Sequence, residues 1–93
     1  MIRTFKTRSA QAIFEGRPVR GLPSTIQQRA RRKLRMIDAA SLLQDLNIPP
    51  SNHLEKLKGD RRGRYSIRIN DQWRICFVWT GDSASEVEIV DYH

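Results

Sequence analysis

The chain has 93 residues, 39% of them hydrophobic and 29% charged, which predicts one small folded domain over residues 1–93. Seventeen Lys and Arg against ten Asp and Glu give a formal net charge of +7, a balance typical of nucleic-acid-binding proteins. A single cysteine excludes an internal disulfide framework or a cysteine-based zinc site, and the lack of a long apolar stretch or secretory signal predicts a cytoplasmic protein without a membrane segment.

The positive charge is concentrated in the first part of the chain. Residues 1–37 contain ten basic residues and one acidic residue, whereas residues 38–60 have a net charge of −2 and residues 61–93 are balanced. Such a field attracts phosphate backbones without reading base sequence. A charged helix is often only a solvated face, but so few acids offset the basic run over residues 29–35 that we favour a binding role for it. The run consists of Arg29, Arg31, Arg32, Lys33 and Arg35.

A short strand and a short helix are predicted first. Residues 2–6 alternate between apolar and polar side chains, as half-buried strands do. Ser9 can cap a helix that runs through Phe14, and the glycine and prolines that follow predict a loop over residues 17–23.

The longest predicted helix begins at Ser24. Gln27 stands at the reciprocal position of a capping box, and apolar residues then recur at spacings of three and four along one face. Leu42 and Leu43 extend this apolar pattern until Asn47 and the two prolines after it, which predict the end of the helix. The apolar face consists of Ile26, Ala30, Leu34 and Ile37.

The second half of the chain changes to the alternation typical of strands, separated by short turns. We predict strands over residues 53–58, 65–70 and 73–79, and a last strand through residues 87–90. The strand over residues 73–79 is apolar on both faces, so we expect it to be central in the sheet, with Cys76 buried and unreactive. Because short connections imply antiparallel pairing, the predicted fold class is α+β, a twisted antiparallel sheet with both helices on one face.

Three groups of polar side chains could carry chemistry. The first is the triplet Asp91, Tyr92 and His93, in which alternation places Asp91 and His93 on one face and Tyr92 on the other. From spacing alone, a frayed and solvated tail is the simpler interpretation of this triplet.

The second group lies in the predicted strand over residues 53–58. There His53 and Glu55 share one face, and Lys56 and Lys58 share the other. A base, two cations and a following turn with arginines could serve phosphate chemistry. The same residues are also typical of an ordinary exposed sheet edge.

The third group consists of arginines on and beside the next strands. Arg68 and Arg74 lie on strands that should pair through the Asn70-Asp71 turn, and two neighbouring guanidinium groups can hold phosphate oxygens. Simple solvation across the strands is the alternative. A further positive cluster nearby consists of Arg61, Arg62 and Arg64. The sequence has no glycine-rich phosphate loop and no paired-histidine metal spacing, so we expect neither a cofactor nor a metal.

Four segments carry a resemblance to a known family. The segments are Leu57-Lys58-Gly59-Asp60-Arg61-x-Gly63, Tyr65-Ser66-Ile67-Arg68-Ile69-Asn70, Trp73-Arg74-Ile75 with Phe77, and Asp91-Tyr92-His93. Together they resemble the HigB toxins, the host-inhibition branch of the RelE-like toxins of bacterial type II toxin–antitoxin systems, and the likeness covers nearly the whole chain.

The resemblance implies a RelE-like, microbial ribonuclease-type fold and a ribosome-dependent endoribonuclease that cuts mRNA in the ribosomal A site. It also implies a HigA-like helix-turn-helix antitoxin as partner, with operator DNA bound only through that antitoxin. The main alternative is a basic module that inhibits ribosomes or their assembly by binding RNA without cleaving it.

The same resemblance assigns roles to individual residues. It matches the final triplet to catalytic positions of the family, against the tail interpretation, and matches Lys58 and Arg74 to positions that contact the substrate phosphate. Glu55 stands where the family usually has a catalytic histidine, which leaves Glu55 and His53 as alternatives for the base. The predicted catalytic residues are Glu55, Lys58, Arg74, Asp91, Tyr92 and His93. The predicted RNA-binding residues are His53, Lys56, Arg61, Arg62, Arg64 and Arg68.

Overall fold

Two helices near the N-terminus supply the apolar layer that covers the sheet. The structure, a computed structural model, describes residues 1–58 and 63–92. Helix α1 spans Arg8–Phe14 and helix α2 spans Ser24–Ala39. The buried residues of α2 are the four that its sequence periodicity predicts, so the apolar stripe faces the protein interior as expected.

The caps of both helices differ from the predicted ones. Thr7, not Ser9, caps α1, because the Thr7 hydroxyl accepts a hydrogen bond from the backbone N–H of Ala10 at 3.2 Å. Gln27 forms no capping box in α2. Its side-chain amide instead bonds the backbone N–H and carbonyl of Val19, at 3.2 and 2.8 Å, and so fixes the loop between the two helices.

The predicted extension of α2 through Leu42 and Leu43 is wrong, because the helix ends at Ala39. The physical reason is that a nearby side chain competes with the helix for backbone N–H groups. The Asp45 carboxylate accepts hydrogen bonds from the N–H groups of Ser41 and Leu42, at 3.1 and 3.0 Å, which offers those groups partners outside an α-helix. Two short 3₁₀ helices follow, Leu43–Asn47 and Pro50–Asn52.

Four antiparallel strands form one sheet in the order β1-β2-β3-β4. They are β1 (Glu55–Lys56), β2 (Arg64–Arg68), β3 (Trp73–Thr80) and β4 (Ser83–Asp91). As predicted, β3 lies between two neighbours and is buried on both faces, Cys76 included. The predicted α+β fold, with helices packed on one face of an antiparallel sheet, is confirmed.

Two predicted strands at the edges of the sheet are corrected. The strand expected over residues 53–58 shortens to β1, because His53 adopts a left-handed backbone conformation, φ 44°, that strand residues avoid. Residues 2–6 form no regular strand. They make two isolated parallel bridges to β4 instead, pairing Ile2 with Ala84 and Phe5 with Val87.

The core lies between the helices and the inner face of the sheet. Ile67, Ile75 and Phe77 are fully buried in one cluster with the α2 stripe, and each such side chain contributes roughly 1.5–3 kcal/mol to folding. The opposite, outer face of the sheet is therefore available to polar side chains. Within residues 1–58 and 63–92, no helix combines the length and the hydropathy that crossing a bilayer requires.

Asn52 ties α2 to the segment that leads into β1. Its side chain is fully buried, and its amide donates to the carbonyls of Leu46 and Ile48, at 3.2 and 3.3 Å. Its oxygen accepts a hydrogen bond from the Lys33 ammonium at 2.5 Å. Burial, followed by repulsion from three nearby arginines, lowers the pKa of Lys33. One amide thus fixes the segment that precedes the sheet edge.

We predict that Asn52→Ala lowers the free energy of unfolding by about 2–4 kcal/mol, because it leaves the buried carbonyl of Leu46, the partly buried carbonyl of Ile48 and the Lys33 ammonium without their partner. Chemical denaturation measures this change. Asn47→Ala is the matched control, because Asn47 is exposed, and its effect is expected to stay within about 0.5 kcal/mol. Equal effects of the two substitutions would contradict the role of Asn52.

Candidate active site

Strand register brings three distant parts of the chain together on the outer face of the sheet. Directly paired residues of antiparallel strands point to the same side, so Glu55 of β1 and Ser66 of β2 share a face. Ser66 is in turn paired with Cys76 of β3, and alternation places Arg74 on that same face. The outer face therefore carries Glu55, Ser66 and Arg74 side by side.

Arg74 is the most constrained polar residue of this face. Only 7% of it is exposed, and a buried guanidinium must find hydrogen-bond acceptors to offset the loss of water. Its Nε donates to Ser66 Oγ at 2.9 Å, and its Nη2 donates to the carbonyls of His53 at 2.5 Å and Ser66 at 3.3 Å. The position and plane of the cation are therefore fixed before any ligand arrives.

The remaining nitrogen of Arg74, Nη1, lies on the side of Glu55. Nη1 lies 3.9 Å from Oε1 of Glu55, whose side chain is 56% exposed, and among the described residues Nη1 donates no hydrogen bond. The ring of Tyr92 lies on the same cation, with its centroid 5.8 Å from Cζ of Arg74. A fixed cation with unused donors thus lies between an accessible carboxylate and a phenol ring, an arrangement that suits a phosphate group.

Asp91 and Tyr92 take different directions at the end of β4. Asp91 pairs with Trp73, and its Oδ2 accepts a hydrogen bond from Nε2 of Gln72 at 3.2 Å. The backbone N–H of Tyr92 donates to the carbonyl of Gln72, which keeps the chain against β3 while the Tyr92 ring reaches Arg74. The chain is therefore docked as far as Tyr92, and the structure brings Tyr92, but not Asp91, to the cation. The third member of the triplet, His93, lies outside the described residues.

His53 contributes its backbone carbonyl to the contacts that hold Arg74. The expectation that His53 and Glu55 share a strand face is wrong, because the left-handed conformation of His53 places it outside β1. That conformation directs its carbonyl to Nη2 of Arg74, while the residue as a whole stays exposed.

Among the described residues, no hydrogen bond or ion pair joins Arg74 to the predicted RNA-binding residues Lys56, Arg64 and Arg68, or to the predicted catalytic residue Lys58. Lys56 and Lys58 are exposed on and after β1. Arg64 forms an ion pair with Glu86 at 2.8 Å. Arg68, although it is the register partner of Arg74, is ion-paired with Asp71 instead of joining Arg74. Arg61 and Arg62 lie outside the described residues.

Two parts of the site were not predicted from the sequence. They are the hydroxyl of Ser66 and the carbonyl of His53, which hold Arg74. Ser66 is a small polar residue on the same strand face as Arg68, and that position is the one sequence signal that could have identified it. Within residues 1–58 and 63–92, no cluster of three or more His, Cys, Asp and Glu side chains is placed to hold a metal ion.

The chain is similar to known toxins over nearly its whole length. Residues 3–93 match the family model of the HigB-like toxin, described as the RelE-like toxin of type II toxin-antitoxin system HigB. Toxin HigB-1 of Vibrio cholerae serotype O1 is 40% identical over 80 residues, which cover 85% of this chain and 84% of that protein. Endoribonuclease HigB of Proteus vulgaris is 34% identical over 93 residues and all of both chains. A solved YoeB/ParE toxin from Agrobacterium tumefaciens is similar with a TM-score of 0.43 and 21% identity, over 98% of both chains.

The left-handed backbone of His53 predicts that glycine at position 53 gives a more stable protein than alanine. A left-handed conformation costs a residue with a side chain roughly 1–2 kcal/mol, and glycine avoids that cost. We therefore expect His53→Gly to be more stable than His53→Ala by about 1 kcal/mol in chemical denaturation.

The exposed neighbour Ser51 provides the matched control, since it lies in a 3₁₀ helix. There Ser51→Gly is expected to be less stable than Ser51→Ala, because glycine loses more backbone entropy on folding. The same order at both positions would show that the His53 backbone carries no strain.

Proposed function

Because the chain belongs to the HigB-like family of RelE-like toxins of type II toxin–antitoxin systems, we propose that it is an endoribonuclease that cuts mRNA on the ribosome. The observation that carries the proposal is Arg74, a buried and fixed cation with Nη1 3.9 Å from an exposed carboxylate and with an aromatic ring beside its Cζ. The name of the Proteus vulgaris relative, Endoribonuclease HigB, supports the same activity.

The proposed reaction is attack of the RNA 2′-OH on the adjacent phosphorus. The 2′-oxygen loses its proton and forms a bond to phosphorus, and the bond from phosphorus to the 5′-oxygen breaks. The leaving 5′-oxygen takes up a proton, so the products are a 2′,3′-cyclic phosphate and a 5′-OH. The reaction needs a base, stabilisation of the phosphorane charge and an acid, all of which side chains can provide.

Glu55 and Arg74 provide the first two functions. Glu55 is the carboxylate beside Arg74, and it accepts the proton of the 2′-OH. Arg74 donates from Nη1 to a non-bridging phosphate oxygen, and its fixed plane means that it need not reorganise as charge develops. Lys58, exposed just after β1, adds a second cation for these oxygens. Tyr92 stacks on a base beside the scissile bond.

The acid is assigned to His93, on the resemblance of the final triplet to the family's catalytic positions. Asp91 supports this part of the site indirectly. Its hydrogen bond to Gln72 holds the end of β4 against the turn before β3, which keeps Tyr92 beside Arg74. Asp91 therefore acts as a positioning residue for the residues that follow it.

The basic face of α2 supports docking on ribosomal RNA. Among the described residues, the five cations of α2 form no ion pair, whereas an acid is paired with each of Lys6, Arg17, Arg64, Arg68 and Arg74. Uncompensated cations attract phosphates without base specificity, and a docked ribosome would align mRNA for in-line attack. A HigA-like antitoxin is the proposed partner, with operator DNA reached only through it, and the cytoplasm is the proposed location.

We predict that purified protein cleaves mRNA on ribosomes at least about 100-fold faster than the same free mRNA. The reason is that a site with few strong catalytic groups depends on the ribosome to align the mRNA for attack. Primer extension on translated and untranslated message measures both rates. Equal rates would contradict ribosome dependence. Translation that stops while the mRNA stays intact would instead support the alternative of a basic RNA-binding inhibitor.

Substitution distinguishes the two candidates for the base. We predict that Glu55→Gln lowers the cleavage rate about 100-fold or more, since a general base contributes about 10²–10⁴-fold. His53→Ala keeps the carbonyl that holds Arg74, so its rate is expected to fall less than about 10-fold. Both rates are measured on ribosomes with saturating protein. The reverse order would identify the His53 imidazole as the base.

A further inference from the structure

Ser66 stands out among the residues around Arg74 because it is fully buried and supplies two of the three acceptors of the guanidinium. Its hydroxyl accepts from Nε at 2.9 Å and its carbonyl accepts from Nη2 at 3.3 Å. It lies directly opposite Glu55 in the strand register, so it is also adjacent to the proposed base. No catalytic function assigned above involves its hydroxyl.

The three acceptors do not fix the guanidinium in the same way. The acceptors of Nη2 are backbone carbonyls of His53 and Ser66, which remain whatever side chain is present. Within the described part of the chain, the acceptor of Nε is the Ser66 hydroxyl alone. A guanidinium is planar, so fixing both the Nε and the Nη2 edges defines the direction of the third nitrogen, Nη1. Without the hydroxyl, the plane can turn about its Nη2 contacts, and Nη1 moves.

We propose that Ser66 is a positioning residue, whose hydroxyl sets the direction in which Arg74 presents Nη1 to the scissile phosphate. The inference rests on the proposed nuclease function and adds to it the residue on which the alignment of the phosphate-binding group depends. Ser66 touches neither substrate nor reacting atoms, and its effect passes entirely through Nε of Arg74.

The chain offers a closely matched control in Ser83. Ser83 is also buried, at 4% exposure, and its hydroxyl also accepts a hydrogen bond from an arginine Nε, that of Arg3, at 2.9 Å. It lies at the start of β4, whereas Tyr92 follows the other end of that strand. Ser66→Ala and Ser83→Ala therefore remove the same kind of bond, one beside Arg74 and one away from it.

The first experiment measures single-turnover cleavage of ribosome-bound mRNA, together with thermal unfolding of each variant. We expect Ser66→Ala to lower the maximal rate by about 10–100-fold, with the half-saturating concentration changed by less than about 3-fold, because a misaligned donor affects chemistry more than binding. Ser83→Ala is expected to stay within about 2-fold of the wild-type rate. Equal losses of rate in the two variants would overturn the proposal.

A double-mutant cycle separates positioning from a general effect on the fold. Lysine has no group equivalent to Nε–H, so in an Arg74→Lys background Ser66→Ala is expected to reduce the remaining rate by no more than about 2-fold. A purely structural role of Ser66 predicts the same loss in both backgrounds, and that result would overturn the proposal. Ser66→Thr, which keeps the hydroxyl, should recover most of the rate lost in Ser66→Ala.

A measurement independent of cleavage follows the Arg74 Nε–H signal by NMR. In the wild type this proton should exchange slowly with water, because it is buried and bonded to Ser66 Oγ. Ser66→Ala should accelerate exchange and shift the signal, and an unchanged signal would overturn the proposal.

If the wild-type protein cleaves no mRNA, the proposed function itself fails. An active wild type with an equally active Ser66→Ala variant refutes only the inference about Ser66.

Discussion

The burial of one positive charge organises the outer face of this protein. Arg74 lies on the central strand, away from the apolar core, and it is held by acceptors from β2 and from His53, two residues before β1. A guanidinium in this position is tolerated only because its hydrogen bonds replace those of water. The backbone of His53 and the position of Ser66 follow from that requirement. In the proposed function Nη1 of this fixed charge binds the phosphate, so the stability of the sheet and the proposed chemistry depend on the same contacts.

The two faces of the sheet have different roles, since the inner face packs in the core and the outer face carries the candidate site. The inner face buries isoleucines and Phe77 against α2, which supplies the free energy of folding. Three cations of the helix, Arg29, Arg32 and Arg35, are exposed, and Asn52 connects the helix through Lys33 to the segment before β1. The same helix therefore contributes to the core, to the placement of the first edge strand and to a positive surface. This positive surface is the one on which the proposed docking to ribosomal RNA depends.

Much of the fold could be predicted from the sequence, because its signals are local and periodic. The α2 stripe and the alternation of β2 and β3 are such signals, and both predictions are confirmed. The end of α2 could not be predicted, because it depends on a carboxylate, Asp45, that competes for backbone groups. The contacts of Arg74 with Ser66 and Tyr92 depend on strand register, including a shift between Cys76 and Val78, which periodicity does not encode. The resemblance to a family pointed to Arg74 and Tyr92, whereas Ser66 emerged from the coordinates alone.

The assembly of the site from separate strands has a consequence for protein synthesis. Glu55, Arg74 and Tyr92 come from three segments, and Tyr92 joins the other two only when β4 has paired with β3. A nascent chain in which β4 has not yet paired with β3 therefore lacks the contact of Tyr92 with Arg74. Completion of the proposed site during synthesis thus waits for the pairing of these two strands.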